Sequence, residues 1–249
     1  MRRCTFFLLI TGMFCIVINT RTVAQSAPGD SSSQQNALNN TLSLFYSSVG
    51  KQSPLFNGKE YYFYDPTIKG NAYYADVNAF TPGSVFYNNI HFTGVPMLYD
   101  IYGDAVVVLL YNHFTKYSLI KDKVASFDFL DHHFVRIDTV TFLNNPVIQP
   151  GYYDELYSGH LQVLAKHSKN IQTSSSGQTS ESYFNYEKDY FIRKNNIYYS
   201  FSGQGALLVI LKDKKKEIQK YLKENQIKYR RNPEEAMVKI ASYYDHLTN

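Results

Sequence analysis

The sequence predicts a mainly β fold: an antiparallel meander forming a curved sheet or open barrel, with a short N-terminal helix and two C-terminal helices. A two-sheet β-sandwich is the alternative. Three observations carry this expectation. From about Lys59 to Leu211, short apolar or alternating runs recur between turn residues. The chain holds 23 tyrosines and 17 phenylalanines but no tryptophan, and these rings favour half-buried pleated surfaces. Between the runs there is no room for the crossover helices that a parallel sheet requires.

The first segment sets the compartment. Arg2 and Arg3 precede an uncharged run, FFLLITGMFCIVI, from Phe6 to Ile18, and the small residues Thr22 and Ala24 follow two positions apart. A basic start, an apolar stretch of that length and small residues at its end describe a secretory signal peptide over residues 1–24. The run is too short to cross a hydrocarbon core of roughly 30 Å as a helix. Bulky Met13 and Phe14 before Cys15 argue against lipidation there. The expected product is exported, periplasmic or extracellular, with no transmembrane segment. Both cysteines, Cys4 and Cys15, leave with the leader, which excludes thiolate catalysis, a cysteine zinc site and disulfides. The remaining 225 residues carry 22 basic and 21 acidic side chains, so the mature chain is close to neutral and long enough for one full core.

Residues 25–39 are small and polar and read as a flexible tail, with a single domain over 40–249. Leu42, Phe45, Tyr46 and Val49 are spaced like one face of a short helix. Strands are then expected at EYYFY (60–64), SVFYN (84–88), VPMLYDI (95–101), AVVVLLY (105–111), KYSLI (116–120) and VASFDFL (124–130). HFVRIDTV (133–140), YYDELY (152–157), HLQVLAKH (160–167), YFNYEKDYFIR (183–193), NIYYSF (196–201) and ALLVILK (206–212) continue the series. Tyr102-Gly103-Asp104, Ser158-Gly159 and Asn195-Asn196 supply turns between them. Residues 172–182, QTSSSGQTSES, lack apolar anchors and read as a mobile loop. The helical segment over 213–247 comprises Lys214–Asn225, with Ile218, Tyr221 and Leu222 on one face, and a second helix capped by Asn232. Pro233 and Glu234-Glu235 follow that cap, the residue types that suit a first turn. Charged terminal helices and strands interrupted by Asp, Lys and Arg disfavour an outer-membrane barrel.

Nine of the basic residues and three acids lie between Lys212 and Arg231. A solvated helix face is the plain explanation of that run, and attraction to an anionic surface is the sharper one. Nucleic acid is not expected, because the product is exported from the cytoplasm.

Asp131, His132 and His133 form the one local cluster of potential metal or catalytic groups. Successive side chains of a strand point to opposite faces, so adjacent histidines cannot share a metal there. The cluster also falls where the apolar alternation breaks, as a hairpin tip does. His160 and His167 are an odd number of residues apart, again on opposite faces of an expected strand. His91 and His113 are isolated. Asp154 and Glu155 adjoin and point apart, unlike a facing carboxylate pair for glycoside cleavage. Asp100 and Asp104 flank Gly103 but offer calcium only two carboxylates. Gly-x-Ser-x-Gly and His-Glu-x-x-His are absent, and Gly203-Gln-Gly205 fails as a dinucleotide loop, because it lacks a third glycine and precedes a strand-like run rather than a helix. No catalytic residue, metal ligand or cofactor is therefore expected.

Gly83-Ser-Val-Phe-Tyr87, Val95 to Asp100, Val124-Ala-Ser-Phe127 and Gly151 to Gly159 (GYYDELYSG), together with a leader ending Ala24-Gln25, resemble a group of secreted β-rich proteins of Bacteroidota. That group has no assigned activity, and the resemblance implies a cell-envelope location only. Two functional classes follow: a non-catalytic envelope protein binding an apolar ligand or a protein partner, or a hydrolase or metal-dependent enzyme assembled from dispersed residues such as His113, His133 or His160. An aromatic cavity without titratable neighbours favours the first. Two histidines and a carboxylate within about 4 Å favour the second.

Overall fold

The computed structural model of the chain describes residues 54–110, 112–138, 147–176 and 179–248, together with residues 37, 40, 41, 44, 45 and 48. The expected signal peptide lies outside the described residues, as does the expected tail apart from Ala37. Ala37, Asn40, Thr41, Leu44, Phe45 and Ser48 are helical, in step with the helix expected over 40–49, while Leu42, Tyr46 and Val49 of its apolar face are not described.

Among the described residues eleven strands follow: β1 (Lys59–Glu60), β2 (Thr81–Tyr87), β3 (Ile90–Asp100), β4 (Ala105–Leu109), β5 (Lys116–Ser118) and β6 (Val124–Phe129), then β7 (His132–Ile137), β8 (Gly151–Ser158), β9 (Gln162–Ser176), β10 (Thr179–Lys194) and β11 (Ile197–Phe201). They form one antiparallel sheet in the order β1-β5-β4-β3-β2-β6-β7-β8-β9-β10-β11. Two meanders, β2–β5 and β6–β11, therefore lie side by side and join where β2 pairs with β6. The sheet is open, with β1 and β11 at its edges. It also curls: the backbone N–H of Lys169 in β9 donates to Ile101 O just beyond β3, at 3.2 Å, across five strand-to-strand steps.

Tight turns set the registers. Asn88-Asn89, Leu130-Asp131 and Asn195-Asn196 all have positive φ, and each links strands whose last and first residues pair directly, as in Tyr87 with Ile90. Two consecutive left-handed residues match the twist of a hairpin.

The inner face carries the main core. Val85, Tyr87, Met97, Tyr99, Val106, Val108, Phe127, Phe129, Phe134 and Tyr152 pack together there, all essentially buried. Further along the same face, Leu161, Val163 and Ile192 meet three C-terminal helices: α1 (Gln204–Ile210), α2 (Lys215–Glu224) and α3 (Pro233–Thr248). Leu207, Leu208, Ile218, Leu222, Met237, Ile240 and Tyr244 close that second cluster. The expected cap is present: Asn232 Oδ1 accepts from the Glu235 N–H at 3.3 Å, ahead of Pro233. Among the described residues no helix is long and apolar enough to cross a membrane.

Four expectations are corrected. ALLVILK is a helix rather than a strand, so the helical segment starts at Gln204 and holds three helices. Leu207, Leu208 and Leu211 are buried while Val209 is 63% exposed, a helical stripe that a run of uniform hydrophobicity conceals. The strand-like run after Gly205 therefore no longer counts against a dinucleotide loop, although the missing third glycine does. EYYFY leaves the sheet after Glu60, because Tyr61 and Tyr64, three residues apart, both turn toward Asp100. Finally, residues 172–176 and 179–182 extend the β9–β10 ladder. Ladder bonds need only backbone groups, and the Ser and Thr side chains stay in water on both faces.

Candidate functional site

β7, β8, β9 and β10 each contribute a polar side chain to one site on the inner face, where the aromatic core gives way to the helix-covered core. His132 opens β7, Asp154 lies opposite Phe134 on β8, His167 follows Ala165 by two positions on β9, and Tyr186 sits on β10. Alternation puts all four on one side of the sheet. His132 Nδ1 is 2.6 Å from Asp154 Oδ2, and His167 Nε2 is 3.4 Å from the same oxygen. His167 Nδ1 is 2.6 Å from the Tyr186 hydroxyl. The Tyr74 ring covers the group, edge-on to His132 at 5.4 Å and to His167 at 4.8 Å.

The proton positions follow from the partners. A carboxylate only accepts, so both imidazoles present N–H to Asp154. The Asp154 hydrogen bond, opposed by burial, raises the pKa of His132. Burial lowers that of His167, only partly offset by Asp154. His167 is then the neutral tautomer with its proton on Nε2, and its Nδ1 accepts from the Tyr186 hydroxyl. Burial pushes the Asp154 carboxyl up, but the bonds from His132 and His167 bring it below its ordinary value. Burial raises the Tyr186 phenol, partly offset by the nearby Lys188 ammonium. Lys188 donates to Glu234 in the first turn of α3 at 2.7 Å, and Tyr190 OH donates to the same carboxylate oxygen at 3.1 Å.

A recess of about 210 Å³ opens beside this chain of contacts, lined by Tyr74, Ala75, Asp76, His167, Lys169 and Tyr186. Ala75 and Asp76 have φ of 52° and 57°, a conformation that non-glycine residues hold at a cost. Buried Lys169 pins the segment, donating to Asn71 O, Tyr73 O and Asp76 Oδ1 at 2.6 to 2.9 Å.

A second opening is lined in part by the Asn71–Tyr73 segment that leads into Tyr74. It is a groove of about 360 Å³ between Phe63, Tyr64, Pro66, Ile68, Tyr73 and Phe184, edged by Asp65, Asn71 and Asn78. Phe184 and Tyr186 are two positions apart, so they point to the same face of β10. Tyr64, Tyr102 and Phe184 meet edge-to-face with centroids 5.1 to 5.6 Å apart. Asp100, 1% exposed, holds this cluster: it accepts from Tyr61 OH at 3.0 Å, Tyr64 OH at 2.7 Å and the N–H groups of Tyr102 and Gly103. Burial, and then hydrogen bonding with Asp100, raises the Tyr64 phenol well above its ordinary value.

Of the cluster Asp131-His132-His133, the structure uses one member at the inner site. Asp131 occupies the turn with φ of 62°. His133 faces the other side and bonds Asp128 at 2.6 Å. Ser84 Oγ also donates to Asp128, giving a serine, an aspartate and a histidine in contact. The aspartate lies in the middle, however, so no imidazole adjoins the hydroxyl as a catalytic triad requires. His113, His133 and His160 do not come together: His113 lies in an exposed turn and His160 precedes β9. Asp100 and Asp104 do not share a calcium site, since Asp104 pairs with Lys121 and Lys166 instead. Among the described residues no group of three or more His, Cys, Asp or Glu is placed to hold a metal. Sequence reasoning missed Asp154, His167 and Tyr186 as partners of His132. Strand parity shows which face each occupies, but only the pairing order of β7 to β10 brings them together. No protein-family model, curated protein or solved structure matches the chain.

Proposed function

We propose that the chain is an exported cell-envelope protein that binds a small ligand with an apolar face in the groove between Phe63, Tyr64 and Phe184. The observation that carries this reading is the aromatic groove itself, open to solvent yet held in shape by buried Asp100. Phe63 is 51% exposed, and a preorganised aromatic recess edged by a few polar groups is what small-ligand sites share. The inner face of the sheet is filled by Tyr99, Phe127, Phe134 and Tyr152, so the ligand lies on the sheet's margin rather than in its hollow. Export is supported by Arg2-Arg3, the apolar run after them and Ala24. The test uses the dye 1-anilinonaphthalene-8-sulfonate as probe. Its fluorescence should rise with the wild-type chain and saturate, and Phe63→Ala with Phe184→Ala should weaken binding about tenfold or more, since each buried ring contributes of the order of 1 kcal/mol or more. Equal dye binding by the double variant removes the groove from consideration.

A second reading, an enzyme assembled from dispersed residues, is favoured by His132 and His167 both lying within 3.4 Å of Asp154 Oδ2, the convergence expected of that class, and by the contact of His167 with Tyr186. A neutral imidazole that accepts from a hydroxyl beside a recess, oriented by a carboxylate, is the arrangement of a general base and the group it activates. Such activation should make Tyr186 react with an aryl sulfonyl fluoride ahead of the other tyrosines, and His167→Gln should abolish that preference. Uniform labelling of exposed tyrosines leaves the cluster a structural one.

A further inference from the structure

The basic run found in the sequence becomes one surface in the fold. Lys212, Lys215, Lys216, Lys220 and Lys223 are exposed along the helical segment, and Lys228, Arg230 and Arg231 are exposed in the turn after it. Lys216, Lys220 and Lys223 recur at four- and three-residue steps, so they share one stripe of α2. The opposite stripe, Ile218 and Leu222, is buried in the helix-covered cluster. Acids do little to neutralise the patch. Asp213 is turned to Lys194, at 2.5 Å, and to Tyr244, while Glu224 stands 3.8 Å from Lys220. Beside the patch, Lys228, Arg231 and Lys239 line a recess of about 500 Å³ at the start of α3, where Lys239 is paired with Glu235.

We propose that this face docks on an anionic phospholipid surface. Charge complementarity favours such a partner: exposed cations with few acid partners, on a mature chain that is otherwise net acidic, are attracted to anionic headgroups within a Debye length. The contact is electrostatic and does not insert, because the apolar stripe of α2 is already buried in the helix-covered cluster. Nucleic acid fits less well. The two aromatic residues within the run are engaged, Tyr221 stacked on Tyr243 at 4.1 Å and Tyr229 packed among the helices, leaving no ring free to stack on a base. The proposal does not depend on the aromatic groove.

Sedimentation with phosphatidylcholine vesicles, with and without phosphatidylglycerol, tests it. The full chain should bind only the anionic vesicles, and binding should fall about tenfold or more between about 50 mM and about 300 mM sodium chloride. Lys216→Glu with Lys223→Glu should release the chain, whereas the charge-matched pair Lys59→Glu with Lys123→Glu should bind within about twofold of wild type. These four lysines are exposed, and circular dichroism checks that both variants fold. Binding to neutral vesicles, no binding at low salt, equal effects of the two pairs, or tighter binding to an oligonucleotide at the same salt would each overturn it.

Discussion

Asp154 is 2% exposed and accepts from two histidines whose pKa values move in opposite directions. Asp154→Asn removes the charge and turns an amide donor toward one imidazole. The cost should be about 2 kcal/mol, below the full value for a broken buried pair because the His132 side chain is 37% exposed and partly screened by water. The cost should also depend on pH. His132 has a raised pKa, so its contribution is complete below its unfolded value of 6.5 and is lost as pH rises through the folded pKa. Asp154 has a lowered pKa, so its contribution is present above 3.8 and is lost as pH falls through the folded pKa. His167 is held neutral by burial, which stabilises the fold above 6.5 and costs stability as pH falls through its lowered pKa. The gap in melting temperature between wild type and Asp154→Asn should therefore be widest between these limits and narrow on both sides. In His132→Gln the alkaline narrowing should disappear. A gap constant across the whole range would mean that the three groups do not titrate as a unit.

α3 is fastened to the sheet near its C-terminal end by an unusual choice of residue. Asp245 is 6% exposed in the last turn, where a carboxylate meets the negative end of the helix dipole. Three donors offset that cost, two from the β8–β9 turn and one from the end of β8: His160 N–H at 2.7 Å, Leu161 N–H at 3.1 Å and Tyr157 OH at 3.0 Å. Gly159 leaves room for them, since a Cβ there would lie 2.2 Å from Asp245 Oδ2. Asp245→Ala should strand these donors and cost about 2–3 kcal/mol in urea unfolding, more than the roughly 1 kcal/mol expected for the exposed cap in Asn232→Ala. Equal costs would show that water replaces Asp245 freely. The start of α3 was legible because Asn232, Pro233 and Glu234-Glu235 act locally, through backbone groups within one turn. Asp245 was not, because its partners lie more than eighty residues away. The same distinction divides the inner site. Parity along each strand placed His132 and His133 on opposite faces, but Asp154 and His167 join His132 only through the ladder order. ALLVILK failed for a third reason: six apolar residues fit either period, and the buried face is decided by what packs on it.

One continuous sheet underlies both cores, and two lysines fasten its curled halves. Lys166 reaches from β9 to Asp104 in the β3–β4 turn at 2.8 Å, and the backbone of Lys169 bonds Ile101. Burial lowers the Lys166 pKa, partly offset by Asp104, so this tie joins ions within the fold rather than at its rim. The helices and the aromatic core should accordingly unfold together. Ile240 is fully buried in the helix-covered cluster, and Ile240→Ala should cost about 3 kcal/mol through lost contacts and the cavity left behind. With no tryptophan in the chain, near-ultraviolet circular dichroism reports the tyrosines, most of them remote from α3, while the far-ultraviolet signal reports backbone structure. Both transitions should shift to lower urea by the same amount with an unchanged slope. A tyrosine transition that stays in place while the far-ultraviolet signal moves would mean that the helical layer melts off a sheet able to stand alone.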